Sequence, residues 1–527
     1  MSIKPVKTAF SNMSFTPDIP SSALGDQEYN SGYNVETDTR GIKKVLGDEY
    51  ILSQIPGNVI FTTSGFRDYN NYWFIVATRE GYWYGINDAG ITDLTPASGP
   101  FAYADEQIIT DAWNGTVLFI NDNVNPPMYL LATDTEFRIY DAAPDNYVWN
   151  YNPDWSELVA GFMRVFSSPN VGSILIAGNL TANVISTGTT VNFPNTVRWS
   201  QSFGQNSGPT TWAPTLVNVA NELEIPVRGP VIDGFPLNGN FYVMSYWDTV
   251  VFSPIAFQNT TAPIFGIKLL NQGRGLLNEN CWANADDTIY GVDARDIWVF
   301  NGGNFQSLGN QRVKDYFYAN LNPLYSNRTF VVNNTSKNQI EIYYADLTST
   351  GHCNKMLGYR YDLKVFNPPR TVSNAVHASE SPVWTGNVAN LATRTIVYGR
   401  GSTNNSQLVQ KDQGNSFLGN TAIPCLFERN NINFGQPYSN KVQVHRILPE
   451  VVGTGNIAIT VGGANSVGQV PTYKPTETMV IDTNNPWVQI NQNDQRSVSV
   501  KLESNTNSTT WQTTAINWQI TIIEDDR

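Results

Sequence analysis

Three stretches of this chain repeat one pattern: an apolar strand, a tight polar turn, then an aromatic strand that runs into a Gly or Asn turn. They read WFIVATREGYWYGINDAG (Trp73–Gly90), NFYVMSYWDTVVFSP (Asn240–Pro254) and DTIYGVDARDIWVFNGG (Asp287–Gly303). β-Branched and aromatic side chains suit a pleated, half-buried surface, so each stretch reads as an antiparallel hairpin with one buried face. A lone hairpin cannot bury that face by itself. A long chain of such units therefore predicts small sheets stacked radially, a β-propeller. Trp83, Trp247 and Trp298 lie in the aromatic strands, and alternation predicts that all three pack between blades.

The hairpins continue in GTVLFINDNVNPPMYLL (Gly115–Leu131), FMRVFSSPNVGSILIAGN (Phe162–Asn179), RTFVVNNTSKNQIEIYYAD (Arg328–Asp346) and KMLGYRYDLKVFNPP (Lys355–Pro369). Together they fill residues 46–415 with about six or seven blades of ~40–55 residues each. Composition agrees with an all-β chain: 15% of residues are charged, against ~25% in an average globular protein, and 12% are aromatic. The sequence offers one short helix, NQRVKDYFYANL (Asn310–Leu321). Its Val313, Phe317 and Leu321 share a face, as expected for a surface helix.

Both ends differ from this middle. Residues 1–45 lack strand alternation and are rich in Pro, Ser, Gly and Asp, which reads as an extended arm lying on other parts of the assembly or as a disordered tail. Residues 416–527 alternate cleanly. Val498, Val500 and Leu502 share one face of a strand, and Ile516, Trp518, Ile520 and Ile522 share a face in the last strand, WQTTAINWQITIIEDD (Trp511–Asp526). This predicts a C-terminal β-sandwich of roughly 100 residues.

The net charge is -13, so the chain on balance repels a nucleic-acid duplex, whose binding rests on Lys and Arg. The same repulsion suits DNA passing through an acidic channel, where adhesion is a defect. Cys281, Cys353 and Cys425 are too few and too scattered for a disulfide framework or a thiolate metal site, and are read as buried thiols. No signal peptide and no run of roughly 18 apolar residues is seen, which leads us to expect folding in a reducing cytoplasm.

Catalytic and ligand-binding patterns are sparse. The three histidines, His352, His377 and His445, have no partner at metal-ligand spacing, and the adjacent pair His352-Cys353 points to opposite faces of a strand. Neither a G-x-S-x-G nucleophile turn nor a phosphate-binding Gly-rich motif occurs. Asp286, Asp287, Asp293 and Asp296 form the densest acidic cluster; a glycosidase needs two such carboxylates, yet turn-capping is the expected role. NDNVN (Asn121–Asn125) places oxygens at alternate positions as a calcium loop does, but without the Gly and distal Glu, and reads as an Asn-rich turn. SGPTTW (Ser207–Trp212) distantly suggests an Asp-box turn, with the Asp missing. No catalytic, cofactor or metal site is expected.

RWSQSFGQNSGPTTW (Arg198–Trp212) resembles a segment of the tail nozzle proteins of short-tailed bacteriophages, also called tail tubular protein B, and of the related DNA-stabilisation proteins of the tail hub. LNGNFYVMSYWDTVVFSP (Leu237–Pro254), GVDARDIWVFNGG (Gly291–Gly303), HRILPEVVGTGNIAITVGG (His445–Gly463) and QRSVSVKLES (Gln495–Ser504) follow in the same order over about residues 25–527. The resemblance implies a structural virion protein, six copies of which form a ring below the portal adaptor. The ring would retain packaged DNA and conduct it outward without specific binding, contact tail fibres or spikes, and use the C-terminal domain as a platform between subunits. It implies assembly in the host cytoplasm, residence in the virion tail, no membrane insertion and no enzymatic activity. The competing reading is a glycan-binding or glycan-cleaving propeller acting on a host surface, for which 14 Trp and 25 Tyr could supply stacking platforms.

Overall fold

In a computed structural model the chain is an all-β protein, a β-propeller joined to a second body of sheets. The structure describes residues 3–51, 55–104, 107–255, 264–386, 388–401, 407–466, 468–481 and 487–524. Five four-stranded antiparallel sheets follow one another over residues 59–93, 110–139, 155–224, 231–272 and 282–307. In each, every strand pairs with its neighbour in sequence, as hairpins joined by short turns require.

The sixth sheet has seven strands, and it bends into two blades. Its strand Val365–Thr385 pairs through its first part with Cys353–Arg360 and through its second with Val388–Arg400. Register shifts interrupt both ladders, and such bulges let a strand turn. The two halves then pack face to face: Phe330, Tyr343 and Met356 lie against Ala378, Ile396 and Tyr398. The last blade ends in Asp48–Ile51, a strand from ahead of the first blade that pairs with Gln407–Lys411. Ile51, Val397 and Leu408 bury against Phe74, Val76 and Ile86 of the first blade and close the ring.

The remaining interfaces are equally apolar. Trp83 packs with Leu118 and Ile120, Tyr129 with Met163 and Leu175, Trp199 with Val243 and Phe252, Met244 with Ile289 and Trp298, and Val292 with Val331 and Ile340. Seven successive interfaces make seven blades, at the upper end of the expected number. Trp83 and Trp298 are fully buried, as expected, and the Trp298 ring lies so close to Gly291 that a Cβ there would sit 2.3 Å from it. Trp247 is a correction, since its side chain is 38% exposed. The strands Asn240–Ser245 and Asp248–Pro254 stop short of it, so Trp247 occupies the hairpin turn and rests under the Arg295 guanidinium, 5.4 Å from its ring centroid.

The expected helix spans Lys314–Asn320. Val313 and Phe317 are fully buried and Leu321 packs against the same cluster, so the three-residue face anchors it. Its N-terminal amides are capped from far away in sequence: Asp315 N–H and Tyr316 N–H donate to the Asp18 carboxylate at 2.9 and 2.8 Å.

The second body is organised by Lys441–Ala464, a 24-residue strand. It pairs with Thr510–Ile523 and Val488–Gln495 in one layer, and with Ser497–Ser504 and Glu477–Ile481 in the other. Val498, Val500, Leu502, Ile516, Trp518 and Ile520 fill the core, while Ile522 is partly buried. The final residues of the expected last strand, Asp525 and Asp526, lie outside the described residues.

Residues 1–45, expected as an arm or a tail, supply strands to this body. Lys4–Ala9 runs antiparallel to the last strand from Lys4 opposite Ile520 to Ala9 opposite Ala515. Ser31–Tyr33 pairs with Cys425–Ile432, and the hairpin of Val35–Asp38 and Gly41–Lys44 docks through Lys43 opposite Gln512. Phe10, Met13, Phe15 and Tyr29 are buried in the shared core, which a free tail could not achieve. The apolar residues of this segment are spaced irregularly because it contributes short strands to several places, so no single period shows in its sequence.

Arm, closing strand and last blades meet in a buried ionic cluster. Lys337 Nζ is 2.8 Å from Glu36 of the N-terminal segment and 2.8 Å from Asp412. Arg370 bridges Asp48 of the closing strand to Asp412, each at 2.5 Å. Lys411 pairs with Glu341, both fully buried, and Tyr343 and Asn334 also donate to Glu341, each at 2.8 Å. Burial favours the neutral form of Glu36, but Lys337 and Lys43 outweigh it and hold the carboxyl down at about 2. Asp412 is held well below the usual carboxylate range by Lys337, Lys411 and Arg370 against the same penalty.

Candidate functional site

A propeller converges its innermost strands on one axis, so groups far apart in sequence meet there. At one end of the axis, residues leading into Val59–Asp68, Thr110–Asn114, Trp282–Ala285 and Phe330–Asn334, with Asn374–His377, surround a cavity of about 670 Å³. Among the described residues, Arg79, Arg328, Arg400, His352, His377 and Glu279 are its ionisable side chains besides Tyr325. The Arg328 guanidinium lies 5.5 Å from the Tyr325 ring centroid, and its Nη1 is 3.0 Å from His352 Nδ1. Arg400 Nη1 donates to the Tyr50 hydroxyl at 2.7 Å.

Along the axis Arg164 ties the blades together. Its Nε and Nη2 donate to the two Asp233 oxygens at 2.9 and 2.6 Å, Nη2 also to Asn280 Oδ1 at 2.8 Å, and Nη1 to the Asp111 carbonyl at 2.8 Å. Trp282 Nε1 donates to Asp233 as well, at 2.8 Å, and its ring lies 5.3 Å from the Arg164 guanidinium. His377 Nδ1 sits 2.8 Å from the Thr62 carbonyl. Burial pushes His377 down to about 4, helped by Arg164 and opposed by Asp111 and that hydrogen bond. Burial pushes Glu279 up to about 7, with Asp233 adding and Arg164 opposing.

Of these residues the sequence singled out His352 and His377, as histidines without a partner at metal-ligand spacing, and none of the others. The available signal was a charge set in an apolar strand, Arg164 in FMRVF and Asp233 in VIDGF.

The residues that sequence did single out are dispersed. His352 faces the cavity, while Cys353 is buried between blades and its thiol donates to the Arg328 carbonyl at 3.1 Å. Cys281 braces the next carbonyl, that of Thr329, also at 3.1 Å, and Cys425 is buried in the second body. His445 Nε2 lies 2.8 Å from the Thr521 hydroxyl. Among the described residues no group of three His, Cys, Asp or Glu is placed to hold a metal.

The acidic cluster divides between turns and ion pairs. Asp286 and Asp287 take left-handed turn conformations, at φ 50° and 55°, and Asp293 and Asp296 lie 3.3 and 2.8 Å from Arg274. In NDNVN, Asp122 accepts from the amides of Val124 and Asn125 and from the Tyr103 hydroxyl. Trp212 of SGPTTW is buried edge-on against Trp149 at 4.6 Å. Arg198, fully buried, stacks over Trp149 and Tyr151 and pairs with Glu222 at 2.6 Å.

No family model matches this sequence, and no curated protein matches it. Among solved structures, it is similar to the crystal structure of the computationally designed Ika8 protein, at 10% identity and a TM-score of 0.34, over 68% of this chain and 98% of that one.

Proposed function

We propose that this chain is a structural, non-enzymatic subunit of a bacteriophage tail nozzle, a homo-oligomeric ring through which double-stranded DNA is retained and then released. The observation that carries this reading is the way both chain ends are woven into the second body. Lys4–Ala9 pairs with the last strand, and the ionic cluster around Lys337 locks the N-terminal segment to the closing strand of the propeller. A ring subunit needs such a joint, because neighbouring copies must hold its two bodies in one mutual orientation.

The segments that carry the resemblance support the same reading. Arg198 and Trp212 build the second and third blades, Leu237–Pro254 and Gly291–Gly303 the fourth and fifth, and His445–Gly463 lies in the spine of the platform. The excess of 45 acidic over 32 basic residues suits a conduit that must let go of a polyanion. In this reading the second body is the platform that packs between copies, the portal-proximal adaptor and tail fibres or spikes are the partners, and the lumen is lined more by Asp, Glu, Asn and Ser than by Lys and Arg.

Electron microscopy of the purified chain with its adaptor tests the proposal. A six-fold ring with an axial channel is expected; a protein that stays monomeric with its adaptor, or a ring with a predominantly basic lumen, overturns it.

One observation favours the alternative of a glycan-handling propeller. Tyr290, Tyr359 and Tyr361, with ring centroids 5.9 and 6.2 Å apart, border an opening of about 920 Å³ beside the helix. Tyrosine faces of this kind stack on sugars. Saturable binding on a glycan array, abolished by Tyr361→Ala, would establish that reading.

A further inference from the structure

Lys411 and Glu341 form an ion pair shut off from water, and Asn334 beside them is buried just as completely. Lys411 ends the strand Gln407–Lys411 of the last blade, while Asn334 ends Phe330–Asn334 and Glu341 lies in Gln339–Tyr344, both in the sixth. Lys411 Nζ and Asn334 Nδ2 both donate to Glu341 Oε1, the second at 2.8 Å, so an amine and a carboxamide are held side by side. Gln339 Nε2 is a third donor to that oxygen, at 3.2 Å, against its two lone pairs. The oxygen has one nitrogen too many.

The groups around Asn334 are placed for acyl transfer. Its Oδ1 accepts from the Ser336 hydroxyl at 2.8 Å, which draws electrons from the carboxamide carbon and stabilises negative charge on that oxygen. Glu341 touches an amine and a carboxamide nitrogen at once, the position of a proton shuttle between nucleophile and leaving group. The Tyr343 hydroxyl holds the other Glu341 oxygen at 2.8 Å. A lysine becomes a nucleophile once it gives up its proton, and a desolvated site favours that neutral form.

We infer that Lys411 and Asn334 join in an intramolecular isopeptide bond, with Glu341 moving the protons and Ser336 polarising the carbonyl. Nζ passes one proton to Glu341 and attacks Cγ of Asn334, forming the Nζ–Cγ bond. Glu341 then gives its proton to Nδ2 and takes a second from Nζ. The Cγ–Nδ2 bond breaks and ammonia leaves. An ion pair and a carboxamide thus become an amide and a protonated Glu341, without oxidant or reductant, and two buried charges disappear with the surplus nitrogen. The bond ties the sixth blade to the strand that pairs with Asp48–Ile51, so it locks the ring closure of the propeller covalently. It does not depend on the nozzle reading or on assembly of copies.

Mass spectrometry of the purified full-length chain, unfolded after prolonged incubation in its folded state, is the test. The mass is expected to fall below that of the sequence by one ammonia. Trypsin is expected to leave Thr329–Lys337 joined to Gly401–Arg429, since an acylated Lys411 is no longer a cleavage site, and fragmentation to place the link at Asn334. Glu341→Gln is expected to keep the full mass. Ser336→Ala, at an exposed position, is expected to fold and to form the bond about a hundredfold more slowly. Where Glu341→Gln fails to fold, the parent mass and Ser336→Ala decide. A parent chain that retains the full sequence mass, an ammonia loss at another residue, a link from Lys411 to Gln339 instead, or a bond that forms undiminished in either variant overturns the inference.

Discussion

The propeller and the platform are both antiparallel β, yet the chain encodes them in opposite ways. In the propeller, strands pair with their sequence neighbours, and the closing pair of Asp48–Ile51 with Gln407–Lys411 is the exception that seals the ring. In the platform, Lys4 lies opposite Ile520 and Ser31 opposite Glu428. Local hairpins cost little loop-closure entropy, whereas pairing Lys4–Ala9 with Thr510–Ile523 closes a loop of about 500 residues. Blades can therefore form as the chain is made, but the platform must await both ends. The ionic cluster sits where these two modes meet, with Glu36 from one, Asp48 from the ring closure, and Lys337, Arg370 and Lys411 from the last blades.

The largest effect should come from removing the end that the platform borrows. Deleting residues 1–44 strips its N-terminal strands and the buried Phe10, Met13, Phe15 and Tyr29, while leaving Asp48–Ile51 to close the ring. Limited proteolysis of the truncated chain is expected to degrade residues 416–527 and spare a fragment near 46–415. Equal protection of both regions would show that the platform stands without the arm.

Next come single substitutions in the two kinds of core. Trp298→Ala opens an apolar blade interface and should cost ~3–5 kcal/mol. Lys411→Met leaves Glu341 buried without its cation, and breaking a buried pair from one side also costs ~3–5 kcal/mol. By contrast Lys7→Met, in the exposed pair with Glu450, should cost under ~1 kcal/mol. Calorimetry separates these cases; a near-neutral Lys411→Met would mean that the joint is dispensable and that apolar packing alone aligns the two bodies.

The same contrast explains what could be read from the sequence. Alternation in Val498–Leu502 and the aromatic hairpins at Trp83 and Trp298 announce their elements, because period two and a buried face coincide within a few residues. The arm was illegible, since Lys4–Ala9 has meaning opposite a strand some 510 residues away and its own burial is slight. The axial cavity was illegible for a related reason: Arg79, Glu279 and Arg328 come from three separate blade regions, and no spacing rule connects them. Trp247 misled because an aromatic turn between two apolar strands looks, in one dimension, like one continuous strand.

A smaller effect concerns pH. Glu36 is held at about 2 in the fold, below an ordinary carboxyl near ~4.3, so its folded state is ionised where the unfolded chain begins to take up a proton. Its contribution is complete above the unfolded value and is lost as pH falls toward 2. Glu36→Gln should therefore lower the melting temperature at pH 7, and the gap to the parent should close progressively below about pH 4.5. Taking the difference cancels Asp48, which burial raises and which titrates in the opposite sense. A gap that stayed constant down to pH 2.5 would mean that Lys337 and Lys43 do not hold Glu36 ionised.

The smallest expected effect is at Trp247, and it sharpens the contrast with Trp298. Both are tryptophans of blade hairpins, but Trp298 is sealed between the fourth and fifth blades, while Trp247 sits on a turn with more than a third of its surface in water. Its energetic contact is the Arg295 guanidinium, and an exposed cation–π pair contributes ~0.5–1 kcal/mol. Arg295 also donates to the Gly273 carbonyl, so it stays in place when the ring is removed. Trp247→Ala should thus cost under ~1 kcal/mol in thermal or chemical unfolding, several-fold less than Trp298→Ala. A loss as large as that of Trp298→Ala would show that the turn packs inward and that the position in the hairpin, strand or turn, does not decide whether a tryptophan holds two blades together.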